Sequence, residues 1–225
     1  MMVSVRVAAL CRCVPVNSDV RRQRYASGMK QEITDRFALN IARVKNLVSI
    51  YRNQLSGPGQ GRRGHQQTDV LRAATVLLHA SVEDVLRSLA YWKLPTAAPA
   101  SLESIPLVGG TATKFNLSTL AAHRGKLVGD LIKESVDANL ERSNYNNTNE
   151  VSNLLGAIGL NTAPLTGFFP ILDVQMRRRH QIVHRADANP NVGRGNHRVS
   201  NLAPATLDDW IANVEAFVAA VLAQV

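Results

Sequence analysis

The spacing of apolar residues constrains this chain more than any other feature of its sequence. Near the C-terminus Trp210, Ile211, Val214, Phe217, Val218, Val221 and Leu222 recur every three or four positions, the period at which side chains share one face of an α-helix. Phe37, Ile41, Val44, Leu47, Val48 and Tyr51 repeat that pattern, as do Leu71, Leu78, Val82, Val85 and Leu89. No segment sustains the strict alternation of a half-buried strand. The expected fold class is therefore all-α: a helical bundle of about five to six helices, built as a single domain. A chain of 225 residues with 45% hydrophobic content can bury one substantial core.

Boundary signals divide the chain. Residues 1–28 mix Val, Arg, Cys, Ser and Pro without helical period and end at Gly28-Met29. They read as a variable, disordered arm, or as an upstream start with Met29 the true beginning, which leaves 29–225 as the folded domain. A helix from Ile33 to Leu55 stops at the loop Gly57-Pro58-Gly59-Gln60-Gly61-Arg62-Arg63-Gly64. Thr68-Asp69 caps a second helix that runs to about Lys93 and is stopped by Pro95. A third helix is expected from Ser118 to about Arg142, with Leu120, Leu127, Leu131 and Val136 inward. Asn147 with Glu150 forms a capping box for a short helix to Ile158, and Thr206 with Asp209 forms another for the last helix. Between them Pro170, placed in a first turn, opens a helix to about Arg185.

Several function classes are excluded. Apolar runs fall short of the roughly 18 residues of a membrane span. Val3 to Leu10 is apolar but carries Arg6 and no convincing cleavage site, so a secretory signal is rejected and a cytoplasmic location is expected. The only cysteines, Cys11 and Cys13, are too close to pair well and too few for a zinc site. Gly59 to Gly64 matches the glycine pattern of dinucleotide sites, but a long helix precedes it where that site needs a strand. Its Arg62 and Arg63 suit contact with a phosphate backbone instead, with a plain linker as the alternative.

The net charge of +9 is unevenly placed. Residues 1–64 hold 12 Lys/Arg against 3 Asp/Glu, while 65–225 hold 14 against 14. Within that neutral remainder, 177–198 contains six arginines and a single acid, Asp187. Clustered arginine is the footprint of a polyphosphate partner, with a merely solubilising surface as the alternative.

The second basic zone holds the most specific segment, Arg179-His180-Gln181-Ile182-Val183-His184. On an ideal helix Ile171, Leu172, Met176, Ile182 and Val183 fill an arc of about 140°, and Arg179 falls near its middle. A guanidinium cannot shed its charge there, so three readings stay open: a buried ion pair, a charge at a subunit interface, or a phosphate-binding residue in a cleft. His180 and His184 lie four apart and share a face. The zinc-protease pattern would need a glutamate where Gln181 stands, so no metal is expected. His184 lies about 140° from Arg179 around the axis. The two can meet only through a distorted helix end or across a pair of chains.

An arginine with a polar residue directly after it, separated by four to six intervening residues from a histidine, resembles the signature of the HEPN superfamily. Here the matching residues are Arg179, His180 and His184. Arg72 with His79, and Arg177 or Arg178 with His184, also satisfy the bare spacing. The segment Leu71 to Arg87 is similar to the HEPN helix with an internal acid, particularly that of the RiboL-PSP-type group. The resemblance covers roughly Met29 to Val225. It implies a metal-independent endoribonuclease without a cofactor, of toxin or anti-phage defence type, cutting RNA by transesterification through the 2′-hydroxyl. Arg179 would hold the phosphate, His184 would transfer protons, His180 would assist, and Glu83 would pair with Arg179 or orient a histidine. Arg62, Arg63, Arg177, Arg178 and Arg185 would bind RNA around a composite site in a homodimer cleft. The rival it leaves is a non-catalytic RNA-binding or scaffolding module, and either form is compatible with an antitoxin or nucleotidyltransferase partner.

Overall fold

The longest element, α1 (Ser18–Ile50), runs 33 residues and closes in a π-helical turn at Tyr51–Leu55. The structure is a computed structural model, and it describes residues 18–57, 65–110, 114, 117–188 and 199–225. Along α1, Ile33, Phe37, Ile41, Val44, Val48 and Tyr51 are buried at steps of three or four, which sets one seam down the helix. The seam packs on α2 (His65–Lys93), whose Leu71, Leu78, Val82, Val85, Leu86 and Leu89 answer it. An ion pair from Arg36 Nε to Asp84 Oδ2 at 2.8 Å ties the two helices at their edge.

Helix α2 is the hub. It packs against α1, α5 (Val128–Leu140), α6 (Thr148–Ala157), α7 (Phe169–Arg185) and α8 (Pro204–Leu222). Two short helices, α3 (Pro99–Leu102) and α4 (Leu117–Ala121), belong to the connection between α2 and α5. The described residues thus form an all-α bundle in which six helices have ten residues or more. They contain no strand, only an isolated antiparallel bridge between Ala188 and Val199. One hydrophobic cluster draws on α1, α2, α5, α6, α7 and α8. Among the described residues no helix is long and apolar enough to cross a membrane.

Most boundaries follow the sequence signals, and the exceptions have physical causes. Residues 18–28 are helical, so the 28/29 boundary expected between arm and domain does not mark the start of α1. Once the buried turns of α1 are fixed, extending the helix N-terminally through Arg- and Gln-rich sequence needs no new nucleus. Residues 1–17 lie outside the described residues. The single helix expected over 118–142 is two, α4 and α5, separated by a turn in which Gly125 takes φ +83°. Leu131 and Val136 point inward as expected, but Leu127 is 73% exposed. Asn147 does cap α6, its Oδ1 accepting from Glu150 N at 2.9 Å. Thr206 and Asp209 do not cap α8. That helix starts two residues earlier at Pro204, whose fixed φ suits a first turn, and its cap residue Ala203 offers no side-chain acceptor. The α8 stripe itself is buried in full, from Trp210 to Leu222. Phe168 and Phe169 set their ring edges against Phe217, 6.2 and 6.4 Å between centroids, and so seat the start of α7.

Candidate functional site

Helix α7 carries different chemistry on different sides. Its buried stripe is Leu172, Gln175 and Met176, all at 0–1% exposure, followed one turn later by half-buried Arg179. The arc expected from the sequence is therefore displaced. Arg179 does face inward, but Ile171 and Val183 are 40% and 47% exposed, and polar Gln175 takes an inward position. A stripe seated between α2 and α8 is narrower than the arc that all apolar residues would fill.

Arg179 reaches from this stripe into a polar pocket at the core edge. Its Nη1 donates to Asn146 Oδ1 at 3.2 Å, while its Nε is buried and makes no hydrogen bond among the described residues. Asn146 is held in turn, its backbone N donating to Glu150 Oε2 at 2.9 Å. Glu83 of α2 is close enough for its carboxylate to feel the Arg179 and Arg87 charges, although no Glu83–Arg179 ion pair within 4 Å is formed. His79, 1% exposed, sits one turn before it with Nε2 3.4 Å from Glu83 Oε1. That contact is long for a full hydrogen bond. The imidazole facing the carboxylate is still the main reason the Glu83 carboxyl is held below its usual value, and the Arg179 and Arg87 charges add to it against desolvation. Arg87 itself is half-buried and anchored, donating to the carbonyl oxygens of Leu140 and Ser143 at and just after the end of α5. This fixes the strand of chain that presents Tyr145 and Asn146. Desolvation pushes the buried Tyr145 hydroxyl up to about 12.

On the outward side, His180 and His184 are exposed and lie ring to ring, 4.5 Å between centroids. Arg185 is exposed in the last turn, and Arg177, 72% exposed, pairs with Asp173 at 3.2 Å. An open groove lined by Val174, Arg177, Arg178, Gln181, Asn201 and Trp210 runs along the neighbouring flank.

Arg178 has other work. Its Nη2 lies 2.7 Å from Asp187 Oδ2, and Arg72 Nε reaches the same oxygen at 2.7 Å. Both guanidinium groups also donate to Ser200 O, and Arg72 adds Thr68 Oγ1 at 2.7 Å. Asp187 is fully buried, so two cations converge on one desolvated carboxylate. Burial pushes the Arg178 guanidinium below its ordinary value, and the Asp187 charge opposes that shift. Ala186 and Asp187 both adopt left-handed backbone, at φ 46° and 57°. Such residues cost about 1–2 kcal/mol each, which the triad offsets. Arg178, expected among the RNA-binding arginines, is thus engaged in this triad, and the lone acid Asp187 in the arginine-rich stretch was the one sequence sign of a partner.

The structure therefore brings Arg179 and Glu83 into one neighbourhood, and His180 and His184 into another. Helix α7 stays α-helical through Arg185, so no distortion of its end carries His184 toward Arg179 within one chain. Arg72 and His79, the competing match to the same spacing, are both buried in the interior of the bundle. Arg62 and Arg63 lie outside the described residues. Among the described residues no three His, Cys, Asp or Glu side chains gather into a group able to hold a metal. Comparison with protein families, with curated proteins and with solved structures gives no match for this chain.

Proposed function

We propose that this chain is a HEPN-like, metal-independent endoribonuclease whose working site forms between two copies. The observation that carries the reading is a permanent cation, Arg179, held half-buried by Asn146 and within the field of Glu83, on the same helix as an exposed pair of histidines in ring contact. RNA brings its own nucleophile. His184 takes the proton of the 2′-hydroxyl, the 2′-oxygen bonds to phosphorus, and the bond from phosphorus to the 5′-oxygen breaks. The leaving 5′-oxygen takes a proton from the corresponding histidine of the second copy, and the products are a 2′,3′-cyclic phosphate and a 5′-hydroxyl. Arg179 binds the phosphate whose charge grows in the transition state, His180 touches His184 with a tilted ring and orients it, and Arg177 and Arg185 attract the RNA backbone. A toxin or defence role, a cytoplasmic site of action and an antitoxin or nucleotidyltransferase partner belong to the same proposal.

The divergence of Arg179 and His184 within one chain favours a second reading, a module that binds RNA or scaffolds a complex without cutting. One experiment separates the two. Labelled RNA incubated with the protein in EDTA is expected to be cut, and His184→Ala is expected to slow cutting by about 10²–10⁴-fold. A substrate lacking the 2′-hydroxyl at the scissile position is expected to stay intact. Cutting that survives either change overturns the catalytic reading, and binding without any cutting supports the second.

A further inference from the structure

The groove between α7 and the chain leading into α8 holds polar groups that the proposed chemistry does not use. It encloses about 370 Å³, within the roughly 300–1,000 Å³ usual for small-molecule sites. Val174, Leu202 and Trp210 give it apolar surface, while Gln181, Asn201 and Thr206 add amide and hydroxyl groups. Both walls are anchored. Gln181 Nε2 donates to Ala188 O at 2.8 Å and to Ser200 Oγ at 3.3 Å, which fixes the amide and leaves its Oε1 without a donor among the described residues. Arg178 Nη2 donates to Ser200 O at 2.9 Å and Asn201 O at 3.3 Å, which holds the backbone that carries Asn201. The Asn201 side chain is exposed and makes no hydrogen bond among the described residues. An exposed asparagine alone is ordinary. One on a clamped backbone, lining the same groove as a fixed amide and a buried indole, is preorganised and loses little freedom when a ligand binds. Along α7, His184 and Arg185 follow Gln181 by three and four residues, so the three share one side of the helix. Apolar surface, donors and acceptors, and a cation beyond them match an unpaired nucleobase, which has flat apolar faces, a hydrogen-bonding edge and an attached phosphate.

We propose that this groove is a nucleobase subsite: it takes one unpaired base of a single strand, with Gln181 Oε1 and the Asn201 amide reading its edge and Val174, Leu202 and Trp210 meeting its face. Gln181 and Asn201 are then specificity-determining residues, selecting which nucleotide lies next to the phosphate that His184 attends. The place beside the cut rests on the ribonuclease reading, whereas the binding of a base does not. Asn201 is the informative position to change, because its side chain supports no other part of the fold.

The test uses the full chain, titrated with each of the four nucleoside 3′-monophosphates and with ribose 5-phosphate, which lacks a base. Binding is followed through the side-chain amide resonances of Gln181 and Asn201, the latter assigned by its loss in Asn201→Ala. One nucleotide is expected to bind about 5-fold or more tightly than the other three, to bind more tightly than ribose 5-phosphate, and to shift both amide signals. In Asn201→Ala, followed through Gln181, that preference is expected to collapse while the thermal unfolding temperature stays the same. Four nucleotides and ribose 5-phosphate bound alike would reveal a phosphate site only and overturn the proposal. So would no binding at all, or a preference unchanged in Asn201→Ala. Cut positions mapped in an RNA of mixed sequence then test the placement: the preferred base is expected at one fixed step from the cut, and cuts indifferent to it overturn the place beside His184. If no RNA is cut, the ribonuclease reading fails by itself and the titrations still decide the subsite.

Discussion

At the scale of single residues, neighbours in sequence turn out to have unrelated tasks. Arg177, Arg178 and Arg179 stand about 100° apart around α7, so one meets solvent, one a buried carboxylate and one the Asn146 amide. The inward place of Arg179 was legible, because periodicity ranks positions around a helix. The commitment of Arg178 was not, because it depends on α2 and on the 199–201 segment reaching the same point. Asp187→Ala should show the strength of that arrangement. It leaves two largely buried cations without their carboxylate and is expected to destabilise the fold by about 3–5 kcal/mol in urea unfolding. Glu83 makes a different prediction. Its folded carboxyl lies below the ordinary value, so it contributes stability that is present above about pH 4.3 and is lost as pH falls through the folded value. Stability measured from pH 6 down to pH 2 should therefore drop less steeply in Glu83→Gln. An unchanged acid limb would show that the carboxylate gains nothing from its neighbours.

Elements were easiest to read where one apolar stripe faces one core, as in α8, and hardest where helices meet. Leu120, Leu127, Leu131 and Val136 are spaced as one helix would space them, yet the chain turns between the first two. Periodicity cannot see a left-handed residue, and Gly125 supplies one at φ +83°. A Cβ added at Gly125 would meet nothing within 4 Å, so the only penalty of Gly125→Ala is its backbone conformation. The expected loss is about 1 kcal/mol, read as a lower midpoint in urea. A gain in stability would mean that 118–142 prefers the single helix of the sequence pattern. The Thr206/Asp209 signal was overridden for a comparable reason: Pro204 offers an earlier start.

For the molecule as a whole, charge is the property most easily read from sequence and least explained by the fold. The excess of +9 resides in residues 1–64, and part of that segment lies outside the described residues. Binding of single-stranded RNA is expected to weaken linearly in the logarithm of salt concentration. Replacing both Arg177 and Arg185 by alanine should lower the magnitude of that slope by about 1–2, whereas a slope unmoved by the double change would place the RNA elsewhere. Size and light scattering bear on the same scale: a dimer is expected, and a strict monomer would remove the composite site. The bundle and its core could be inferred from the sequence because each helix reports its own buried face. How Arg179 and His184 relate could not, since that depends on which sides of α7 other elements, or another copy, occupy.

The pinning of Asp187 by two arginines has a consequence for how this chain can change its length. Inserting or deleting one residue between Arg178 and Ala186 turns everything beyond it by about 100°. The carboxylate would leave its cations, and a change made before His180 would also swing the two histidines to a new side of the helix. Substitutions in this stretch are graded, but changes of length are all-or-nothing. Among variants that retain the fold, the number of residues from Arg178 to Asp187 should be fixed even where their identities drift.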